Sequence, residues 1–220
     1  MYLKVTNRCN MTCRHCIQDS GPVGDDMPRD VFLAALAATD WRRPGLLILG
    51  GGEPTIHPAF TEYLDEAVRL ADERRIHVTT NGSMTAIALD LAARARRGEI
   101  GVMLSLDEWH DPIDPVVVEA WHGLKVRSVE GASLKAKGRA RRNGLPSDPA
   151  WVHGCTQPML VCEPNGEVRY CACENATIVG DVLSGTVEIP VGPATGCDSY
   201  GPGGNGDPRA LMSCNVRVLE

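Results

Sequence analysis

Three cysteines near the N-terminus have the spacing of a metal site. Cys9, Cys13 and Cys16 fall within eight residues, so the short connections let all three sulfurs face one centre. Thiolates are soft ligands, which favours an iron-sulfur cluster or zinc over hard cations. Three protein ligands are one fewer than a closed tetrahedral site needs. A four-iron cluster held in this way would leave one iron open to an outside molecule and would therefore be chemically reactive.

A zinc knuckle and a disulfide-bearing loop are the alternatives for this segment. A disulfide fits poorly, because the group has an odd number of cysteines and residues 1–5 have the pattern of a strand rather than of a secretory signal. We therefore expect a reducing compartment, the cytoplasm.

A glycine-rich turn follows the second apolar run. Residues 45–49 read Gly-Leu-Leu-Ile-Leu, and residues 50–54 read Gly-Gly-Gly-Glu-Pro. Without Cβ atoms, glycines let the backbone approach a ligand closely, and the Glu53 carboxylate can accept a hydrogen bond from an ammonium group. In isolation this segment would be an ordinary turn at a strand end. His57, just beyond it, is expected to cap or pack rather than to catalyse.

The two motifs, in this order, resemble those of the radical S-adenosylmethionine (SAM) enzymes. The resemblance implies that Cys9, Cys13 and Cys16 hold a 4Fe-4S cluster whose open iron chelates SAM. One electron from the reduced cluster then splits SAM into methionine and a 5′-deoxyadenosyl radical, which removes a hydrogen atom from the substrate. The cofactors carry out the difficult chemical step, and the protein orients the substrate relative to the radical.

The resemblance also assigns neighbouring residues. Gly51, Gly52 and Glu53 match the turn that meets the amino end of SAM. His15 occupies the position where the family usually has an aromatic residue, and we expect it to stack or pack.

Further candidates follow the third and fourth predicted strands. Thr80, Asn81 and Ser105 come at the carboxyl ends of these strands, where barrel enzymes assemble their sites. We expect all three to bind the cofactor, and the resemblance implies that Ser105 contacts the ribose. Asp107 and His110 form a polar cluster that either binds substrate or is a solvated turn.

A basic run surrounds Gly138. By resemblance, one of its members could reach the carboxylate of SAM, whereas charge runs are more often solvated faces. A nucleic-acid patch is the third alternative, but the net charge of −6 gives no global attraction for nucleic acid. A nucleic-acid partner is therefore not expected. The run consists of Lys135, Lys137, Arg139, Arg141 and Arg142.

Six of the nine cysteines lie after residue 154. The pattern from Cys155 to Cys171 is similar to the opening of the SPASM and twitch extensions, which hold auxiliary iron-sulfur clusters. With Cys197 and Cys214 it would supply four ligands for one such cluster. A structural zinc site is the alternative, because thiolate tetrads serve both metals. Cys162 lies in an apolar segment and is expected to be buried.

Alternating strands and helices must position these residues. The pattern predicts an α/β fold with right-handed parallel crossovers. Together with the resemblance, it indicates a partial (β/α)6 barrel over residues 1–145 and a Cys-rich SPASM/twitch-like extension over residues 146–220. A sixth barrel strand is not evident. Asp26 or Asp30 is expected to cap the first helix. Strands are predicted at residues 2–6, 45–49, 76–80, 101–106 and 126–129, helices around residues 30–36, 59–74, 87–95 and 116–121, and a hairpin between residues 160–162 and 167–170.

Composition is that of an ordinary globular protein, with 43% hydrophobic and 23% charged residues and no membrane-length apolar run. The leading functional hypothesis is a radical SAM enzyme that oxidises, crosslinks or epimerises a peptide side chain. Modification of a nucleotide, a nucleic-acid base or a small metabolite is the alternative, and a non-catalytic iron-sulfur or zinc protein is a third. Expected partners are a low-potential electron donor, such as a flavodoxin or ferredoxin, and a precursor peptide or carrier protein.

Overall fold

The computed structural model describes residues 1–39, 45–71, 75–127, 137–146, 159–172 and 176–188. Within these residues the strands form one sheet in the order β5-β4-β3-β2-β1-β6-β7-β8-β9. The strands are β1 (Tyr2–Thr6), β2 (Leu47–Gly51), β3 (Ile76–Thr80), β4 (Gly101–Ser105), β5 (Val126–Arg127), β6 (Val161–Cys162), β7 (Glu167–Arg169), β8 (Ile178–Asp181) and β9 (Thr186–Val187). The helices are α1 (Arg29–Ala38), α2 (Phe60–Leu70), α3 (Thr85–Arg96), α4 (Pro115–Ala120) and α5 (Arg139–Arg142), with a 3-10 turn at Pro54–Ile56.

The first five strands are all parallel. β1 pairs with β2, β2 with β3, β3 with β4 and β4 with β5, and one of the helices α1 to α4 lies between each consecutive pair along the chain. This is the predicted α/β arrangement of a partial barrel, and that prediction is confirmed. The carboxyl ends of β1 to β4 consequently meet at one edge of the sheet, where the cysteine loop and the glycine-rich turn lie.

A second part of the sheet continues from the other side of β1. β6 pairs parallel with β1, and β6 to β9 then form an antiparallel meander. The predicted hairpin is confirmed, with Gly166 at a φ of +96° in its turn. The sixth parallel strand, which was not evident from the sequence pattern, is β6; it has only two residues and lies beside β1.

Alternation along β1 assigns its side chains to two faces. Leu3 and Val5 are fully buried in the core under the helices. Tyr2 and Lys4 lie on the opposite face, where the Tyr2 hydroxyl accepts a hydrogen bond from the Gly51 amide at 2.7 Å. Trp121 closes the helical side of the core, and its indole N–H donates to the Ala88 carbonyl at 3.0 Å.

The first helix begins differently from the prediction. Pro28 is at the N-cap, and no side chain caps the helix, so the expectation that Asp26 or Asp30 caps it is wrong. Asp26 instead accepts hydrogen bonds from the Arg8 guanidinium, at 2.6 and 3.0 Å, and from the Thr6 hydroxyl at 2.6 Å. The carboxylate therefore anchors the start of the cysteine loop rather than the helix.

Several other boundaries differ from the sequence pattern. β2 begins two residues later than predicted and extends through Gly51, while α2 ends at Leu70. Residues 72–74, 128–129 and 147–150, which the predictions also covered, lie outside the described residues. No helix in the described part of the chain is long and apolar enough to cross a membrane.

Candidate functional site

The cysteine loop leaves β1 and is held by backbone hydrogen bonds at both ends. The Asn7 amide donates to the Asp25 carbonyl at 2.9 Å, and the Cys9 amide donates to the Gly21 carbonyl at 2.6 Å. Cys9, Cys13 and Cys16 are all half-buried free thiols. The structure thus places all three predicted ligands on one anchored loop.

The electrostatics of the loop favour a bound cation. Burial raises the pKa of the Cys13 thiol to about 11, and the neighbouring Cys9 and Cys16 sulfurs push it in the same direction. Burial likewise raises the pKa of Cys9, with smaller contributions from Glu53 and Cys16. Ionising Cys9 and Cys13 is therefore unfavourable unless a positive centre compensates. A thiolate-bound metal or iron-sulfur cluster fits this donor set.

Glu53 is the hydrogen-bonding centre of the glycine-rich turn. Its side chain is buried, with 1% of the residue exposed. Oε1 accepts from the Thr55 amide at 3.1 Å, the Thr55 hydroxyl at 2.6 Å and the Thr80 hydroxyl at 2.7 Å, and Oε2 accepts from the Asn81 amide at 2.6 Å. Burial raises the pKa of Glu53, and these hydrogen bonds oppose that rise. The carboxylate joins the ends of β2 and β3.

The glycines of this turn are required by the chain itself. A Cβ on Gly52 would lie 2.0 Å from the Arg8 carbonyl oxygen, and one on Gly51 would lie 2.2 Å from the Thr6 carbonyl oxygen. The Gly52 and Glu53 amides donate to these same two carbonyls, each at 2.9 Å. Glycine was expected here so that a ligand could approach the backbone closely. In the structure the backbone of residues 6–8, which leads into the cysteine loop, already lies that close.

Asn81 links the end of β3 to the cysteine loop. Its side-chain Nδ2 lies 3.8 Å from the Cys9 sulfur and 3.2 Å from Asn10 Oδ1, while its own Oδ1 accepts from the Ser83 amide at 3.0 Å. Ser105 is half-buried at the end of β4, one residue beyond Leu104, which pairs with Thr80. The structure thus brings Glu53, Thr80, Asn81 and Cys9 together.

The side chains of Asp107 and His110 are mostly buried, although the segment as a whole is half-buried. The Asp107 side chain is 2% exposed and accepts from the Trp109 amide at 2.9 Å, while His110 Nδ1 lies 2.7 Å from it. Burial opposes ionisation, but these hydrogen bonds hold the pKa of Asp107 below its usual value. The solvated-turn alternative is wrong for this residue.

His15 packs against the same cluster, as expected. Its Nε2 lies 3.6 Å from Asp107 Oδ2, and its ring centroid lies 5.0 Å from that of His110 and 6.1 Å from that of Trp109. The potential ligand atoms of His15, Asp107 and His110 lie within 4.8 Å of one another. The cluster fixes His15 between Cys13 and Cys16 in a mostly buried position.

His57 agrees with its prediction, whereas Arg139 differs from the solvated face that was expected. His57 Nδ1 accepts from the Ala59 amide at 3.0 Å, and Nε2 lies 3.1 Å from the Met27 carbonyl oxygen, so it caps and packs. Arg139, expected on a solvated face, is only 19% exposed and contacts the cysteine loop. Arg142 pairs with Asp19 in the same loop.

The distal cysteines are only partly described. Cys162 is fully buried in the core, as expected, and burial raises its pKa to about 12. Cys171 is also buried, with 8% exposed. The remaining distal cysteines, Cys155, Cys173, Cys197 and Cys214, lie outside the described residues.

A cavity that sequence reasoning missed lies beside the cysteine loop. Its volume is about 380 Å³, and its lining is mostly polar. Lys4 and Glu163 form a mostly buried ion pair at 2.7 Å within it. The sequence signal that could have indicated this cavity is Lys4, a charged residue in the middle of the otherwise mostly apolar β1. Other lining residues include Asn7, Gln18, Asp25 and Arg169.

These features define a class of α/β protein: the parallel part of the sheet carries three thiols on the loop after β1, a donor set that fits a thiolate-bound metal or cluster, and a buried carboxylate after β2. The family model of the Radical SAM superfamily matches residues 3–148. The chain belongs to the Radical SAM superfamily, a group of SAM-dependent iron-sulfur enzymes. Membership implies a 4Fe-4S cluster and SAM as cofactors.

The individual proteins and structures that the chain resembles share only a small part of its sequence. The chain is 31% identical over 109 residues to a GTP 3',8-cyclase from Chlorobaculum tepidum, covering 48% of this chain and 32% of that protein. It thus spans about a third of that relative's length. A structure of BtrN in complex with AdoMet and 2-DOIA matches with a TM-score of 0.60 and 16% identity, covering 83% of this chain and 77% of that one.

A structure of anSMEcpe with bound AdoMet and the Cp18Cys peptide matches with a TM-score of 0.55 and 15% identity, covering 82% of this chain and 76% of that one. At these identities the two structural matches establish a shared fold.

Proposed function

We propose that this chain cleaves SAM reductively and uses the resulting 5′-deoxyadenosyl radical to remove a hydrogen atom from its substrate. The observation that carries this proposal is the connection from Glu53 through Asn81 to Cys9. It ties the glycine-rich turn and the end of β3 to the cysteine loop by hydrogen bonds of 2.6 Å to the Asn81 amide and 3.8 Å to the Cys9 sulfur. This connection brings the turn beside a cysteine that would hold the cluster.

The proposed roles follow from this arrangement. Cys9, Cys13 and Cys16 would hold the 4Fe-4S cluster, which, when reduced, supplies one electron to the sulfonium of SAM. Gly51 and Gly52 keep the turn close to the loop. Glu53, whose carboxylate already accepts four hydrogen bonds, orients Thr80 and Asn81 toward the cofactor.

Two further residues have proposed contacts. Ser105, at the same edge of the sheet as Thr80, would contact the ribose of SAM. The mostly buried His15 supplies an aromatic surface beside the loop, where it is fixed by Asp107.

The test is production of 5′-deoxyadenosine by the anaerobically reconstituted full chain with SAM and dithionite. We expect turnover by the wild type and none by the Cys9→Ala/Cys13→Ala/Cys16→Ala variant. A wild type that binds iron but forms no 5′-deoxyadenosine under strong reduction would contradict the proposal and favour the non-catalytic alternative. A wild type that contains zinc at this loop would also contradict it.

A peptide side chain is the proposed substrate. The Cys-rich pattern after residue 154 is similar to extensions of peptide-modifying enzymes, and the fold is shared with a protein crystallised with a peptide. The second candidate is a nucleotide or small metabolite, which the similarity to a GTP 3',8-cyclase over about half of this chain favours. Incubation with GTP and with small peptides separates the two, because only a true substrate should increase 5′-deoxyadenosine formation above the uncoupled level.

An auxiliary iron-sulfur cluster on Cys155, Cys171, Cys197 and Cys214 is part of the proposal. Buried Cys171 supports a ligand shielded from solvent. The triple alanine variant should retain iron in this second site. Loss of all iron would contradict the auxiliary cluster, and retention of zinc alone would indicate a structural zinc site.

The reaction also needs a supply of electrons. We propose a cytoplasmic flavodoxin or ferredoxin as donor, because a low-potential cluster must be reduced before each cleavage. Replacing dithionite with such a donor and its reductase should sustain 5′-deoxyadenosine formation, and failure of every such donor would contradict this part.

A further inference from the structure

The segment from Gly138 to Asn143 packs against the cysteine loop, although Arg139 is 126 positions from Cys13 in the sequence. The Arg139 amide donates to the Cys16 carbonyl at 2.9 Å, and Asn143 Nδ2 donates to the Arg14 carbonyl at 3.0 Å. Gly138 has a φ of +52°, and a Cβ there would lie 2.6 Å from the Ile17 carbonyl oxygen. The segment is therefore fitted to the loop backbone itself.

The Arg139 side chain adds a second set of contacts to the loop. Nη1 donates to the Cys13 carbonyl at 3.2 Å, Nη2 donates to the Ser20 carbonyl at 2.5 Å, and Nε lies 3.3 Å from Asp19 Oδ1. A guanidinium presents its donors in a rigid planar fork. One side chain thereby holds both ends of the stretch from Cys13 to Ser20.

The charge of Arg139 lies close to the three cysteines. Its Nη1 donates to the Cys13 carbonyl at 3.2 Å, and its own amide donates to the Cys16 carbonyl at 2.9 Å. A fixed positive charge close to a thiolate-bound cluster favours the form with more negative charge, which is the reduced form.

We propose that Arg139 is a positioning residue of the metal centre, which locks the cysteine loop through its guanidinium fork and stabilises the reduced centre through its charge. This inference rests on the proposed function for the kind of centre that the loop holds. It assigns Arg139 to the loop rather than to the carboxylate of SAM or to a nucleic acid.

Two variants separate the fork from the charge. Arg139→Gln removes the charge, whereas Arg139→Lys keeps the charge and loses the fork. The control is Arg141→Gln, an exposed arginine on the same helix. For each reconstituted protein we would measure the rate of metal release to a chelator and the midpoint potential of the centre by redox titration with EPR detection.

We expect both Arg139 variants to release metal faster than the wild type, by about tenfold or more, because charge-assisted hydrogen bonds to the loop are lost. The midpoint potential should become more negative in Arg139→Gln and stay near the wild-type value in Arg139→Lys. The Arg141→Gln protein should match the wild type in both measurements.

Wild-type release rates and an unchanged potential in Arg139→Gln would overturn the inference, as would equal shifts of potential in the glutamine and lysine variants. If Arg139→Gln fails to fold, the release rate of Arg139→Lys still decides the role of the fork, and a wild-type rate there would overturn it. The release assay works with iron or zinc. A wild type that holds metal but makes no 5′-deoxyadenosine therefore counts against the proposed function alone.

Discussion

The side-chain amide of Asn81 faces the sulfur of Cys9, with Nδ2 and Sγ 3.8 Å apart. An N–H donor near a thiolate stabilises the charged form of the ligand, and hydrogen bonds to the sulfurs are among the factors that set cluster potentials. Asn81 is buried, so water does not readily replace it.

Asn81→Asp should therefore weaken the metal centre. The substitution keeps the shape of the side chain but can place a carboxylate next to the thiolate, and like charges at this distance repel. We expect iron content after reconstitution to fall several-fold and 5′-deoxyadenosine formation to fall with it. Asn81→Ala, which removes the donor without adding charge, should have a smaller effect, and an Asn81→Asp protein with full iron content would contradict this role.

Glu53→Gln should destabilise the fold as well as the site. The carboxylate accepts four hydrogen bonds in a buried position. The side-chain NH2 of the new glutamine would replace one of the two acceptor oxygens and would face N–H or O–H donors there. Leaving buried donors without acceptors predicts a loss of about 2–4 kcal/mol in the free energy of unfolding. Urea denaturation measures this loss.

The matched control is Glu62→Gln, the same change at an exposed carboxylate on α2. Its free energy of unfolding should remain within about 0.5 kcal/mol of the wild type. Equal effects at the two positions would show that the hydrogen bonds of Glu53 contribute little.

Gly52→Ala tests whether the glycine-rich turn is shaped by the cysteine loop. The new Cβ would lie 2.0 Å from the Arg8 carbonyl oxygen, so the backbone next to Cys9 must move. We expect reduced iron content and loss of 5′-deoxyadenosine formation. Gly123→Ala is the control, because its new Cβ would meet nothing within 4 Å. The only expected cost is the strain of an alanine at a φ of +79°, about 1–2 kcal/mol in the free energy of unfolding.

Normal iron content in Gly52→Ala would show that the loop tolerates the displacement. That result would contradict the prediction that the cysteine loop shapes the turn.

The two motifs were predictable because each is a short run whose chemistry is independent of the rest of the chain. Cys9, Cys13 and Cys16 lie on one loop, and Glu53 follows its own strand. β1, β3 and β4 were likewise evident from local patterns. The confirmed fold class follows from the alternation of such elements.

The parts that could not be predicted depend on contacts between distant segments. The hairpin of β6 and β7 was predicted, but the parallel pairing of β6 with β1 was not, because a strand of two residues carries no pattern that indicates its partner. Arg139 contacts the Cys13 carbonyl across 126 positions, and nothing in a basic run indicates which arginine turns inward. Asp26 looked like a helix cap because its competing partner, Arg8, is 18 positions away.

His57 predicts a pH dependence of stability. Burial lowers its pKa, although the Met27 carbonyl and Asp26 oppose that shift. The ring is suited to the neutral form, because Nε2 can donate to the Met27 carbonyl while Nδ1 accepts from the Ala59 amide. A proton on Nδ1 would place the Nδ1–H donor opposite the N–H donor of Ala59, and the hydrogen bond between them would be lost.

The unfolded chain therefore binds this proton more tightly than the folded chain, and the stability that His57 contributes is fully present above a pH of about 6.5 and declines as the pH falls below it. Free energies of unfolding measured by urea denaturation between about pH 7.5 and 5.5 should show this decline in the wild type. His57→Gln should show a shallower slope. Tyr63→Phe is the control, because it removes a 3.0 Å hydrogen bond to the same Met27 carbonyl without removing the imidazole. It should lower stability and keep the wild-type slope, and a His57→Gln protein with that full slope would assign the pH dependence to other groups.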